Sequence, residues 1–171
     1  NTGYCCIMID KNGENCLMTI AGAHGNYTRE DIDACEKAYE GAYMANFVLE
    51  TNHEATFYAI HKAHDMGVKV FLDPAPACQL PEDIFPCLEW IKPNEHEASI
   101  ITGIDVHDDE CALEAANWFR ARGVKNVLIT LGGDGCFLVT DEMTKRYPAP
   151  KITVVDTTTA GDTFAGAFLY A

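Results

Sequence analysis

The chain has 171 residues, 48% of them hydrophobic and 22% charged, with a net charge of −14. This balance suits one globular domain with a sizeable core, and it argues against a disordered chain and against nucleic acid or an anionic membrane as partners. ATP stays open as a ligand because phosphate sites are local, and no apolar run is long enough to cross a bilayer.

The eight cysteines contain no C-x-x-C pair. They read as reduced structural thiols of a cytoplasmic protein, in preference to a zinc ribbon or a disulfide framework. The first residues, Asn1-Thr2-Gly3-Tyr4, are neither an initiator nor a signal peptide, so an internal cut is expected.

Tyr4 to Asp10 and Cys16 to Ile20 are apolar runs on either side of Lys11-Asn12-Gly13-Glu14, a hairpin with Asn-Gly as its turn. Ala21 to Gly25 reads as loop. Thr28-Arg29-Glu30-Asp31 matches a capping box and opens a helix. Phe47-Val48-Leu49-Glu50 is a short buried strand with Glu50 at its C-terminal end, the end at which open α/β sheets bind ligands. Taken alone, Glu50 reads as a solvated strand-end charge. Glu54 to Met66 has helical periodicity and stops at Gly67. His53, His61 and His64 lack a carboxylate set that would complete a metal site and read as surface or packing residues.

Val68 to Leu72 is the next buried strand, ended by the rigid Asp73-Pro74-Ala75-Pro76-Ala77. Leu88 to Lys92 is another, and Asn94 caps the helix after it. Asn94 and Glu97 share one face of that helix. They form a capping box, or they present an amide and a carboxylate to a Mg²⁺–phosphate unit through water. Asp108 to Arg122 is an amphipathic helix ended by Gly123. Val127 to Leu131 is a buried strand that turns through Gly132-Gly133-Asp134-Gly135 into the strand Cys136 to Thr140, and Met143 to Tyr147 pairs back. The clustered glycines bring backbone near a ligand or merely make a strained hairpin. No G-K-[ST] follows, so this is not a P-loop.

The stretch from Val155 to Ala167 sets Asp156 and Asp162 around a run of hydroxyl and small residues, and an apolar helix follows. Thr158 and Thr159 are N-cap types, Ala160-Gly161 lets backbone approach a ligand, and N–H groups at a helix start form an anion site. Asp162 in the first turn is then a dipole-compensating charge or a general base beside the anion. The alternation of strands and helices gives an α/β class: three layers, α-β-α, around a mostly parallel sheet with a late antiparallel hairpin, and no internal repeat.

Asp156-Thr157-Thr158-Thr159-Ala160-Gly161-Asp162-Thr163-Phe164 resembles the D-T-x-x-A-G-D-x-F signature of the ribokinase, or PfkB-type, sugar kinases. Asp73-Pro74-Ala75-Pro76-Ala77, Pro93-Asn94-Glu95-His96-Glu97-Ala98 and Thr130-Leu131-Gly132-Gly133-Asp134-Gly135 resemble that family's N/D-P-A-P-A, N-x-x-E and T-L-G-x-x-G segments, in the same order. The resemblance covers the chain and corresponds to the middle and later part of a ribokinase. The N-terminal third with its G-G sugar motif, and the C-terminal helices around adenine, would lie outside it.

The resemblance implies a ribokinase-like fold, with residues 1–22 as a partial β-hairpin lid and 23–171 as the kinase core. It implies transfer of the ATP γ-phosphoryl group to a hydroxyl of ribose or a related sugar. Asp162 would be the base, and the N–H groups of Thr159, Ala160, Gly161 and Asp162 an anion hole. Asn94, Thr130, Leu131, Gly132, Gly133, Asp134 and Gly135 would hold nucleotide together with Gly161 and Asp162, while Glu50 and Asp162 would meet the sugar. Glu97 would organise Mg²⁺ through water. Asp156 and the Thr158 carbonyl would bind K⁺, with further ligands from beyond Ala171. The family's full-length form is a homodimer. Two other classes stay open: a non-catalytic nucleotide- or sugar-binding module, and an assembly partner whose hairpin pairs with another chain.

Overall fold

The computed structural model describes residues 1–11 and 15–170. They fall into two units, Asn1–Asn26 with Lys151–Ala171, and Tyr27–Pro150. In the first, β1 (Tyr4–Ile9) and β2 (Asn15–Ile20) pair antiparallel, with Tyr4 opposite Ile20 and Cys6 opposite Met18. The expected Asn12-Gly13 turn lies outside the described residues. Where a loop was expected, a 3-10 turn spans Ala23–Asn26, tied back by the Ala23 N–H donating to the Asn1 carbonyl at 2.8 Å. Ile7, Met8, Ile9, Leu17, Met18 and Ile20 of the hairpin all leave large apolar side chains exposed.

The unit from Tyr27 to Pro150 opens with α1 (Arg29–Ala34). The expected capping box is formed: Asp31 N–H donates to Thr28 Oγ1 and Thr28 N–H to Asp31 Oδ2. Then come β3 (Met44–Val48), α2 (His53–Asp65), β4 (Lys69–Asp73), β5 (Leu88–Ile91), α3 (Glu95–Thr102), α4 (Asp109–Ala121), β6 (Asn126–Thr130), β7 (Cys136–Val139) and β8 (Thr144–Tyr147). The strands lie in that order in one mixed sheet, β3 to β6 parallel and β7 and β8 antiparallel.

Each parallel crossover steps one strand in the same direction. Right-handed connection therefore carries α2 and α4 to one face of the sheet. There Ile60 and Ala63 of α2, with Ala115, Ala116 and Phe119 of α4, join Val70, Leu72, Ile91, Val127 and Ile129 in one core cluster. Small side chains on the helices let them lie close to the sheet, and β-branched residues fill the strands. Phe85 and Phe119 close this core with Trp118, whose ring meets both edge-on at 5.6 and 5.4 Å.

Phe85 sits on a 3-10 stretch, Glu82–Cys87, that the sequence reading did not anticipate. Pro86 within it removes a backbone donor and keeps it from extending as an α-helix. β3 also differs from expectation. It begins at Met44 and ends at Val48, two residues short of Glu50. Its ladder runs to Val48 opposite Asp73, and the next residue on β4's side is Pro74, which has no N–H to continue it.

The chain returns to the first unit for α5 (Ala160–Tyr170), of which Ala165 is buried. No helix among the described residues is long and apolar enough to cross a membrane.

Candidate functional site

Within Tyr27–Pro150 the expected ligand residues gather where parallel strands end. β4 and β5 pair in a register that sets Leu72 against Ile91, so the next residues, Asp73 and Lys92, fall side by side. Both are buried, and Lys92 Nζ meets Asp73 Oδ2 at 2.8 Å. The chain then passes Pro93 to Asn94, which caps α3. Asn94 Oδ1 accepts from Glu97 N–H and Glu97 Oε2 accepts from Asn94 N–H, each at 2.8 Å.

The capping-box alternative is thus realised. It uses one Glu97 oxygen and leaves Oε1 outside that pair of bonds. Burial pushes the half-buried Glu97 carboxyl above its usual range; the Asn94 N–H opposes this, Asp73 adds to it and Lys92 offsets it. Lys92 is the residue here that the sequence reading passed over as a strand end. Its signal was a cation closing one buried strand and a carboxylate closing the neighbouring one.

β6 brings the next expected residue alongside. Thr130 forms an isolated parallel bridge with Asn94, and its N–H donates to the Pro93 carbonyl at 2.9 Å. Beyond it Leu131 is buried, and Gly132–Asp134 make an exposed 3-10 turn closed by Gly135 N–H donating to Gly132 O. The three glycines have different causes. Gly135 has φ +101°, and a Cβ there would collide with the Tyr147 carbonyl of β8. It therefore answers to the hairpin. Gly132 has φ +50° with open space around it, whereas Gly133 has an ordinary φ and open space. Neither backbone conformation nor crowding in this unit demands glycine at 133. Arg146 of β8 pins the turn, donating to the Asp134 carbonyl at 3.1 Å and to the Asp109 carboxylate at the start of α4.

Glu50 is exposed in the bend after β3, not on the strand itself. The same bend is held to the Asp73–Ala77 segment by Leu49 N–H donating to the Ala75 carbonyl at 2.9 Å.

The remaining expected residues lie in the other unit, at the start of α5. Asp156 Oδ1 accepts from Thr158 N–H at 2.8 Å, which holds the Asp156 carboxyl below its usual range. Neither Thr158 nor Thr159 is seen capping with its side chain. Instead Ala160 N–H donates to the Thr157 carbonyl at 3.1 Å, and Thr159 adopts φ +61°. Left-handed backbone is uncommon for a β-branched residue and costs of order 1 kcal/mol or more. Ala160 and Gly161, the pair expected to let backbone approach a ligand, lie in the first turn of the helix. The first intrahelical bond runs from Thr163 N–H to Thr159 O at 2.9 Å, so the Gly161 and Asp162 amides precede it in the first turn. Asp162 is exposed there.

Comparison with known proteins matches the chain over its whole length. The description "pfkB family carbohydrate kinase" matches residues 1–171. The bifunctional ribokinase/ribose-5-phosphate isomerase A of Fructilactobacillus sanfranciscensis is 40% identical over 97% of this chain, and ribokinase of Staphylococcus aureus 36% identical over 98%. Among solved structures, ribokinase of Thermotoga maritima superposes with a TM-score of 0.83 at 33% identity, over 98% of this chain and 55% of its own. Arabidopsis thaliana ribokinase, solved with ribose and ATP, gives 0.80 at 27% identity, over 98% of this chain and 55% of its own. The chain spans 55% of the Staphylococcus enzyme and 31% of the bifunctional one. It belongs to the pfkB family of carbohydrate kinases.

Proposed function

We propose that this chain carries the core of an ATP-dependent, ribokinase-type sugar kinase of the cytoplasm, with residues 1–22 serving as part of a lid over the sugar. The observation that carries the reading is the start of α5, where a strained Thr159 leads directly into Ala160-Gly161-Asp162. Strain of this kind persists where the surrounding structure enforces it, and such outliers cluster at ligand sites. First-turn amides at Gly161 and Asp162 suit the developing charge of a transferring phosphoryl group, and Asp162 supplies a carboxylate beside them.

In the reaction the sugar hydroxyl oxygen bonds to the γ-phosphorus and the bond from that phosphorus to the β–γ bridging oxygen breaks, releasing ADP. Asp162 takes the hydroxyl proton. Thr130 to Gly135, Gly133 above all, lie along the nucleotide with Asn94, and Glu50 meets sugar hydroxyls. The donors present fit the expected ions. Glu97 offers a hard carboxylate oxygen and would hold Mg²⁺ through water beside Asn94, offsetting phosphate charge when the ion is bound. Asp156 Oδ2 and the Thr158 carbonyl would offer oxygens to K⁺.

Ribose and ATP as substrates are supported by the ribokinases at 33 to 40% identity and by the Arabidopsis ribokinase solved with both. The cytoplasmic assignment rests on eight free cysteines. A homodimer is supported by the exposed apolar hairpin, which a second copy would cover.

The test is Asp162→Asn in the full-length protein. Asparagine keeps size and hydrogen bonding but cannot take a proton, so ATP affinity should hold while the rate falls by about 10² to 10⁴. A variant that binds ATP and keeps more than a tenth of the parental rate removes Asp162 from this role. A parent that binds ATP and ribose without forming ADP would instead be a binding module.

A further inference from the structure

Away from the proposed kinase residues, the loop entering α4 brings three different metal-ligating atoms together. His107 Nε2 lies 3.6 Å from Asp108 Oδ2 and 3.9 Å from Cys111 Sγ, and all three side chains place a ligand atom within 4.8 Å of one another. A tetrahedral zinc ion, with metal–nitrogen and metal–oxygen distances of ~2.0–2.2 Å and metal–sulfur ~2.3 Å, holds neighbouring ligand atoms about 3.4 to 3.6 Å apart. The two separations measured from His107 are within a few tenths of an ångström of that spacing.

Each atom is aimed by a bond made elsewhere. His107 Nδ1 lies 2.9 Å from the Asp105 carbonyl, and a carbonyl can only accept. The imidazole proton therefore sits on Nδ1 and the Nε2 lone pair is left facing the cluster, the arrangement that orients a ligating histidine. Asp108 caps α4 with Oδ1, accepting from Cys111 N–H at 2.9 Å, which leaves Oδ2 for another partner. Cys111 stands in the first turn of α4 with its thiol towards Nε2. His107 and Asp108 are exposed and Cys111 half-buried, so an ion can enter. Asp109 and Glu110 of the same turn offset the positive field of the helix start.

We infer that His107, Asp108 and Cys111 form a binding site for a borderline-soft divalent cation, zinc foremost, with water completing the tetrahedron. Imidazole and thiolate select such ions over Mg²⁺ or Ca²⁺, which prefer oxygen. On binding, the Cys111 S–H bond breaks, a sulfur–metal bond forms, and the proton passes to solvent without any change of oxidation state.

The experiment uses Co²⁺ as a spectroscopic substitute in protein whose exposed Cys5, Cys6, Cys16 and Cys35 are changed to Ser. Co²⁺ should produce a thiolate-to-metal charge-transfer band with release of one proton per ion, and Zn²⁺ should bleach that band. Cys111→Ser should abolish the band, and His107→Ala or Asp108→Asn should weaken binding by about 100-fold or more, beyond what loss of an outer-shell partner costs. Asp108→Asn retains an oxygen to cap α4, so unchanged circular dichroism separates lost ligation from lost folding. His64→Ala, elsewhere on the surface, should change nothing. Absence of the band at millimolar Co²⁺, or a band that survives Cys111→Ser, overturns the assignment.

Discussion

Replacing Lys92 by methionine isolates the buried ion pair beneath the strand ends. Lys92 and Asp73 are 3% and 4% exposed, and their charged atoms stand 2.8 Å apart. Met fills most of the volume of Lys but removes the charge, which leaves a carboxylate inside the sheet close to a second one at Glu97. Breaking a buried pair from one side costs about 3 to 5 kcal/mol. For a chain of this size each kcal/mol lowers the melting temperature by roughly 2 to 4 °C, so a fall of about 6 to 20 °C is expected. Trp90 and Trp118 both belong to the Tyr27–Pro150 unit, so urea unfolding followed by their fluorescence reads this unit directly. Adding Asp73→Asn to Lys92→Met should recover a large part of the loss, because the buried negative charge beside Glu97 is gone. A single variant that loses less than about 1 kcal/mol, the range of an exposed pair, would mean that burial adds nothing to this one. A double variant no more stable than the single would place the loss elsewhere than in that charge.

Gly135→Ala should destabilise by about 2 to 4 kcal/mol, since it combines positive φ with a collision against β8, whereas Gly133→Ala should stay within about 0.5 kcal/mol of the parent in the same unfolding assay. In the full-length protein Gly133→Ala should nonetheless raise the KM for ATP; an unchanged KM removes that turn from the nucleotide. Glu97→Gln should raise the Mg²⁺ concentration needed for half-maximal rate, while a role confined to capping predicts a stability change of order 1 kcal/mol and the parental Mg²⁺ response. Lys62 Nζ and Tyr58 OH donate to Asp33 Oδ1 at 2.6 and 2.7 Å and hold its carboxyl below the usual value of 3.8. Its folded pKa lies below its unfolded one, so this contribution is present above pH 3.8 and is lost as pH falls through the lower folded value. Asp33→Asn should flatten that acid limb of the unfolding curve, and a limb of unchanged slope would count against the bond.

Much of this was legible because the local signals agree with one another. Thr28 and Asp31 form the capping box their spacing announced, and Asn94 with Glu97 does the same, since both ends depend on contacts three residues apart. The parallel strands were readable as unbroken apolar runs, the mark of strands covered on both faces. What escaped depends on partners distant in sequence. The Glu82–Cys87 turn exists because Phe85 must reach Trp118 and Phe119, and no periodicity within the segment encodes that. The pairing of Lys92 with Asp73 required the β4–β5 register. The left-handed residue at 159 was missed because propensity assigns such backbone to glycine, and here the fold places it on a threonine one step before the Ala-Gly pair.

The two margins of the six-stranded sheet are unlike. β8 is Thr144-Lys145-Arg146-Tyr147, and its ammonium and guanidinium groups repel a second strand of the same kind. β3 is Met44-Ala45-Asn46-Phe47-Val48, without a charge, and among the described residues its one strand partner is β4. A molecule with one guarded and one permissive margin has an asymmetric valence. Charge therefore protects one margin of this sheet against a stray strand, while the β3 margin depends on cover instead.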